Sequence, residues 1–87
     1  MVYRIIYESN VTREDFPKIP EVNRRQILRA INERLSVAPL GFGKQLRYSL
    51  NELRRLRVGD WRIAYKVEGE TVKIVRIQNR RDAYKGW

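Results

Sequence analysis

The 87-residue chain contains no cysteine and no histidine. The absence of cysteine excludes a disulfide framework and a thiol nucleophile, and the absence of histidine excludes a zinc site or a histidine-based catalytic triad. No apolar run approaches the roughly 18–20 residues that span a bilayer. Residues 1–8 lack the layout of a signal peptide, so we expect a cytoplasmic protein without a membrane partner.

Acidic residues are few relative to basic ones, with 10 Asp and Glu against 19 Lys and Arg, a net charge of +9 and a pI near 10.5. The excess is uneven, because residues 1–43 carry a net charge of +2 and residues 44–87 carry +7. A strongly basic domain commonly binds a polyanion, since neutralising phosphates releases condensed counterions. A scattered, solvated basic surface is the alternative, and the concentration of charge in one half favours a binding face.

The chain is long enough for a single core, and its hydrophobic content of 43% is sufficient to fill one. We therefore expect one domain over residues 1–87. Aromatic and β-branched residues over 3–7 predict a first strand. Thr12, three residues before Asp15, suggests a capping box that opens a short helical stretch.

A second helix is expected to begin at Pro20 and to run to about Val37. Its apolar residues recur at helical spacing, which predicts one stripe facing the core. The stripe consists of Ile27, Leu28, Ile31 and Leu35. Pro39 and the glycine-containing turn at 41–43 are expected to end this helical region.

Residues 53–68 predict a β-hairpin in which Gly59 and Asp60 form the two-residue loop. One face of this hairpin is apolar and should pack on the helices; it carries Leu56, Val58, Trp61, Ile63, Tyr65 and Val67. The other face carries Arg55 and places Arg57 directly opposite Arg62. Like charges opposite each other on a sheet are destabilising by roughly 0.2–1 kcal/mol. The pair therefore indicates that an anion binds between them.

A last strand is predicted over residues 72–78, but its apolar residues do not alternate regularly. Val72 and Ile74 lie on one face, whereas Val75 and Ile77 lie on the other. Either the strand is central and covered on both sides, or a bulge near Arg76 shifts the register. The sequence leaves both alternatives open.

Two segments contain the candidate functional residues: LRRLRVGDWRIAY at 53–65 and NRRDAY at 79–84. If the last strand lies beside the hairpin, Arg80, Arg81 and Tyr84 can approach the arginine face. Guanidinium groups hold phosphate in a bidentate manner and tyrosine stacks on an unpaired base, so this set suits RNA. The structural alternative is that Arg81 pairs with a nearby carboxylate and that Tyr84 fills an edge of the core.

These two segments, together with KQLRYSL at residues 44–50, resemble the RelE/ParE superfamily of toxins from toxin–antitoxin systems. The resemblance covers the whole chain. It implies an α+β fold, with two N-terminal helices packed on a small antiparallel-rich sheet in the order β-α-α-β-β-β. It also implies a RelE-like, ribosome-dependent endonuclease that cleaves mRNA in the A site by attack of the ribose 2′-OH on the adjacent phosphate. The implied partners are a cognate antitoxin, the ribosome and mRNA, with no metal or other cofactor.

Individual residues take expected roles from this resemblance and from their place in the pattern. The expected catalytic residues are Arg55, Arg62, Arg80 and Tyr84. The expected RNA-binding residues are Lys44, Arg47, Arg57 and Arg81. Arg62 and Arg80 would balance the charge of the pentacoordinate phosphorane. Many relatives carry histidine where Asn79 stands here, and arginine gives up a proton poorly. A ParE-like inhibitor of DNA gyrase and a non-catalytic module that binds RNA or the ribosome are the alternative functions.

Overall fold

The computed structural model describes residues 2–42, 44, 45 and 53–81. Within this part of the chain, five strands form one sheet in the order β1-β5-β4-β3-β2. The strands are β1 (Arg4–Tyr7), β2 (Lys44–Gln45), β3 (Arg54–Val58), β4 (Trp61–Glu68) and β5 (Thr71–Asn79). Strand β1 runs parallel to β5, and all other pairs are antiparallel. The expected α+β architecture with an antiparallel-rich sheet is confirmed, with the two-residue β2 as an addition.

The helical elements lie between β1 and β2 in the chain. They are a π-helical turn (Val11–Asp15) followed by α1 (Phe16–Lys18), then α2 (Glu21–Ala30) continued by a second π-helical turn (Ile31–Leu35), and finally α3 (Pro39–Phe42). The second helix therefore starts one residue after Pro20 and ends close to the expected position. No helix in the described part of the chain is long and apolar enough to cross a membrane.

The hairpin of β3 and β4 has the register expected from the sequence. Val58 pairs with Trp61, and Arg57 pairs with Arg62. The loop between the strands is two residues long, and its Gly59 adopts a φ of +59°. A side chain is strained at this φ, so glycine at this position sets the tight turn and with it the register.

Strand β5 contains the bulge that the sequence left as one of two alternatives. Ala64 pairs with Arg76 but the next residue, Tyr65, pairs with Ile74, which leaves Val75 without a partner on β4. The extra residue changes the alternation, so that Ile74 and Ile77 both enter the core. β5 is also an internal strand, between β1 and β4.

The core lies between the helices and one face of the sheet. The helices contribute Val11, Ile19, Ile27, Ile31 and Leu35, and the sheet contributes Leu56, Ile63, Tyr65, Val72, Ile74 and Ile77. Three of the four residues of the expected helical stripe are fully buried, and Leu28 is half-buried. The apolar face of the hairpin packs here as expected, and the hydroxyl of Tyr65 donates a hydrogen bond of 2.5 Å to the carbonyl oxygen of Pro39.

The expected capping box at Thr12 and Asp15 is wrong. Thr12 donates its hydroxyl hydrogen bond to the carbonyl of Ser9, and the Asp15 carboxylate accepts a hydrogen bond of 2.9 Å from the backbone N–H of Ile77. Asp15 therefore satisfies a backbone donor of β5 instead of its own helix, because β1 pairs only with the first residues of β5. The turn expected at residues 41–43 is wrong for the first two of these residues, which belong to the short helix α3, and Gly43 lies outside the described residues.

Candidate nucleic-acid interface

The face of the sheet opposite the core is rich in basic residues. Side chains alternate along each strand, and paired residues share a face, so the register assigns its members. We call this surface the basic face; it carries Arg4, Arg55, Arg57, Arg62, Lys66, Lys73 and Arg76. One sheet thus separates an apolar core from a cationic surface, which is the reason for the uneven charge in the sequence.

A pocket of about 300 Å³ opens where the basic face meets the hairpin turn. We call it the arginine pocket; its described lining consists of Arg57, Gly59, Asp60, Arg62 and Arg80. Three of these lining residues are arginines and one is an aspartate. Such an arrangement attracts an anion with several acceptor oxygens, because each guanidinium presents parallel N–H donors.

Arg62 is the unusual member of this pocket. Its side chain is only 6% exposed, although arginine is rarely buried without a partner. Its buried Nε and Nη1 atoms have no hydrogen-bond partner in the described part of the protein. A buried cation with unsatisfied donors destabilises the free protein, and an anion that enters the pocket removes this cost.

Arg80 reaches the pocket because the backbone fixes its position. Its N–H donates a hydrogen bond of 2.7 Å to the carbonyl oxygen of Asp60, which joins the end of β5 to the hairpin turn. Residues from three points in the chain therefore converge, namely Arg57 before the turn, Arg62 after it and Arg80 beyond β5. This convergence matches the expectation that the last strand lies beside the hairpin.

The other expected site residues are placed differently. Arg55 lies on the basic face two residues from Arg57, but it does not line the arginine pocket. Arg81 lines a separate groove beside the turn. Arg81 is absent from the described lining of the arginine pocket, and its expected RNA-binding role stays a prediction. Lys44 pairs through its backbone with Arg55. The side chain of Lys44, and the whole of Arg47 and Tyr84, lie outside the described residues.

The pocket is also lined by Asp60, for which the sequence pattern predicts only a place in the hairpin turn. Asp60 is exposed and shares this lining with three arginines. The sequence contains a signal for this position, because Asp60 is one of the two residues of the predicted turn and is only two residues from Arg62. Within the described ranges there is no group of three or more Asp, Glu, His or Cys side chains that would hold a metal ion.

Comparison with known proteins identifies relatives over almost the full length of the chain. Residues 12–84 match the family described as the ParE toxin of the type II toxin–antitoxin system parDE. The chain is also 35% identical over 83 residues to Toxin RelG of Mycobacterium tuberculosis, an alignment that spans 88% of this chain and 91% of that protein.

Solved structures show the same fold. The RelBE2 toxin–antitoxin complex of Mycobacterium tuberculosis contains a chain with a TM-score of 0.83 and 30% identity, covering 94% of this chain and 95% of that one. The RelB–RelE complex of Methanococcus jannaschii contains another with a TM-score of 0.73 and 24% identity, covering 91% and 94%. The sequence motifs, the fold and these relatives agree, and the chain belongs to the RelE/ParE superfamily of toxins from type II toxin–antitoxin systems.

Proposed function

We propose that this toxin is a RelE-like endoribonuclease that cleaves mRNA in the ribosomal A site. The observation that carries the proposal is Arg62, a buried guanidinium whose Nε and Nη1 donors have no partner within the described structure. Arg57 opposite it and Arg80 beside it complete a pocket for a phosphate group. A binding surface for a folded protein has no need of buried, unsatisfied cations, whereas a phosphodiester supplies the acceptors that they lack.

In the proposed reaction the ribose 2′-oxygen attacks the adjacent phosphorus, and the bond from phosphorus to the 5′-oxygen of the next nucleotide breaks. The products are a 2′,3′-cyclic phosphate and a free 5′-hydroxyl. Negative charge grows on the non-bridging oxygens in the transition state, and Arg62 and Arg80, which line the same pocket, would stabilise it. Arg57, with Arg55 on the same face, holds the neighbouring phosphates.

The reaction also needs a group that accepts the proton of the 2′-hydroxyl. Among the described residues of the arginine pocket, Asp60 is the one with a side chain suited to this task. We assign it that role, with Tyr84 stacking on a base or returning a proton to the leaving 5′-oxygen. Arginines stabilise charge but are poor proton acceptors, so the carboxylate of a residue that lines the same pocket would supply the missing function.

An antitoxin is the proposed protein partner. Similar chains have been solved in RelB–RelE and RelBE2 toxin–antitoxin complexes. The net charge of +9 favours an acidic antitoxin that covers the arginine pocket. The helical region leaves three apolar residues exposed, Val22 on α2, Val37 in the turn before α3 and Leu40 on α3, and these suit burial under a partner helix.

Inhibition of DNA gyrase is the second candidate function. One observation favours it: the family that matches residues 12–84 is described as the ParE toxin. Such an inhibitor acts by binding a protein–DNA complex, and it does not require a pocket that polarises a phosphodiester. We therefore rank this function second.

The test is a reconstituted translation reaction with purified toxin, in which the ends of mRNA on stalled ribosomes are mapped. Cuts within A-site codons are expected. Arg62→Ala or Arg80→Ala should lower the cleavage rate by roughly 100–1000-fold, the loss typical of a missing oxyanion donor. Asp60→Asn should lower it by about 100-fold or more, as expected for a general base.

The matched control is Arg29→Ala, which removes the same charge from an exposed position on α2 and should leave cleavage unchanged. Intact mRNA with normal translation would contradict the proposal, and an assay of gyrase supercoiling would then test the second candidate. Blocked translation without cuts would identify a non-catalytic ribosome-binding module instead.

A further inference from the structure

A second recess lies beside the hairpin turn, next to the arginine pocket. It is a groove of about 740 Å³ between the first helical segment and the ends of β4 and β5. We call it the tryptophan groove; the residues that matter here are Asp15, Lys18, Asp60, Trp61, Asn79 and Arg81. Of these residues, Asp60 alone has a part in the function proposed above.

The two recesses meet at the turn. Asp60 lines both of them. The consecutive residues Arg80 and Arg81 are divided between them, with Arg80 in the arginine pocket and Arg81 in the tryptophan groove. A single extended strand that enters one recess therefore passes directly into the other.

The charges of the two recesses differ. The arginine pocket has three cations and one carboxylate among its described lining residues. The groove is balanced, with Lys18, Arg76 and Arg81 against Glu14, Asp15 and Asp60. A phosphate is thus favoured in the pocket, whereas an uncharged group is favoured in the groove.

The groove offers an uncharged planar group two kinds of contact. Trp61 is half-buried, packs on the core and also lines the groove. Asn79 pairs with Trp61 across the two strands, and its Oδ1 accepts a hydrogen bond of 3.1 Å from the N–H of Arg81. That bond leaves the Asn79 amide N–H₂ as the donor for a ligand, and no partner for it occurs within the described ranges.

We propose that the tryptophan groove binds the base of a nucleotide adjacent to the phosphate in the arginine pocket. The base stacks on Trp61 and accepts a hydrogen bond from the Asn79 side-chain amide. This inference rests on the proposed function, because it takes single-stranded RNA as the ligand. Every base presents a flat π-face, and such stacking is tolerant of sequence, while the amide adds a preference for a base with an acceptor.

The test uses short RNA oligonucleotides with 2′-O-methyl riboses, which the proposed reaction cannot cleave. An abasic ribose is placed at each position in turn, and fluorescence anisotropy measures the affinity for the purified toxin. One position should be the most sensitive, and loss of its base should weaken binding by roughly 5- to 100-fold, the range for one stacked base.

Three variants test whether the loss of affinity caused by removing this base depends on the groove. Trp61→Leu should abolish it, and Trp61→Phe should retain most of it because a ring remains. Asn79→Asp keeps the acceptor for the N–H of Arg81 but removes the amide donor, so it should reduce the sensitivity. Gln26→Glu makes the same chemical change at an exposed position of α2 and should have no effect.

The outcomes separate this inference from the proposed function. Equal affinity for the complete and all abasic oligonucleotides would overturn the inference, as would a base preference that Trp61→Leu and Asn79→Asp leave unchanged. No measurable binding of RNA would overturn it as well, and the groove would then suit a protein segment. A base preference in the absence of A-site cleavage would refute the endonuclease and leave the base-binding groove in place.

Discussion

At the scale of single residues, Arg62 combines two opposite effects. It lies 6% exposed on an internal strand, and its Nε and Nη1 atoms are unsatisfied within the described structure. An uncompensated buried charge lowers the stability of the free protein. The same desolvation strengthens the attraction for an anionic ligand, because a low local dielectric weakens charge screening. The site is therefore prepared for phosphate at a cost to stability.

This trade-off leads to a prediction about stability. Arg62→Met, which keeps a similar length and removes the charge, should raise the free energy of unfolding by about 1–3 kcal/mol while it abolishes toxicity. Chemical denaturation of the two proteins measures the change. Inorganic phosphate should stabilise the wild type more than the variant, because it binds the folded pocket. Arg29→Met at an exposed helical position is the control, and a destabilised Arg62→Met protein would contradict the prediction.

At the scale of secondary-structure elements, the first helical segment is attached to the unpaired edge of β5. The side-chain amide of Asn10 donates a hydrogen bond of 2.9 Å to the carbonyl of Val75, and the Asp15 carboxylate accepts one from the N–H of Ile77. These bonds satisfy backbone groups that β1 does not reach, and they hold the bulge in place. The π-helical turn between Asn10 and Asp15 is thus held against the edge of β5 by these two hydrogen bonds.

Asp15 makes this attachment sensitive to pH. Desolvation by burial raises the pKa of its carboxyl group above the usual value, against the opposing effects of the Ile77 hydrogen bond and of Arg76 and Lys18. A raised pKa in the folded state means that folding favours the protonated form. The contribution of Asp15 to stability is therefore greatest below the unfolded-state pKa of about 4 and declines as the pH rises through the folded-state value.

Asp15→Asn should remove this decline, since the amide keeps an oxygen acceptor for Ile77 and carries no charge. The unfolding free energy of the variant, measured relative to that of the wild type, should therefore increase from about pH 4 to pH 7. Urea denaturation across this range measures it. Glu33→Gln, the corresponding change at an exposed position, should alter stability by less than about 0.5 kcal/mol throughout. A constant difference for Asp15→Asn would refute the role assigned to its carboxylate.

At the scale of the whole molecule, one sheet has two chemically different faces. Its apolar face packs on the helices, and its basic face carries most of the excess charge. The two recesses lie together at the end of the sheet where the hairpin turns. A long-range positive field directed from one side of the protein favours rapid association with polyanions and with acidic proteins.

Association with the antitoxin should accordingly depend on salt. Raising NaCl from about 0.1 M to about 1 M shortens the screening length from roughly 10 Å to 3 Å. The dissociation constant of the purified complex, measured by titration calorimetry, should increase over this range because exposed charge pairs are screened. Replacing the added salt by an uncharged osmolyte provides the control. An affinity that does not change with salt would show that apolar contacts alone hold the complex.

Much of the fold follows from local sequence signals. The hairpin register could be read directly, because Gly59 permits the tight turn and side chains alternate on either side of it. The stripe of Ile27, Ile31 and Leu35 on the second helix likewise follows from helical spacing. These features depend on interactions between residues close in the chain, so composition and period are sufficient to predict them.

The sequence by itself therefore determined the α+β class, the hairpin and the opposition of Arg57 to Arg62. Only the tertiary structure decided between a bulge and a regular strand in β5, since contacts with β4 and with Asn10 select it. It also decided that Arg80 and Asp60 line the arginine pocket and that Arg81 lines the neighbouring groove. These outcomes depend on how distant segments approach each other, which local patterns do not specify.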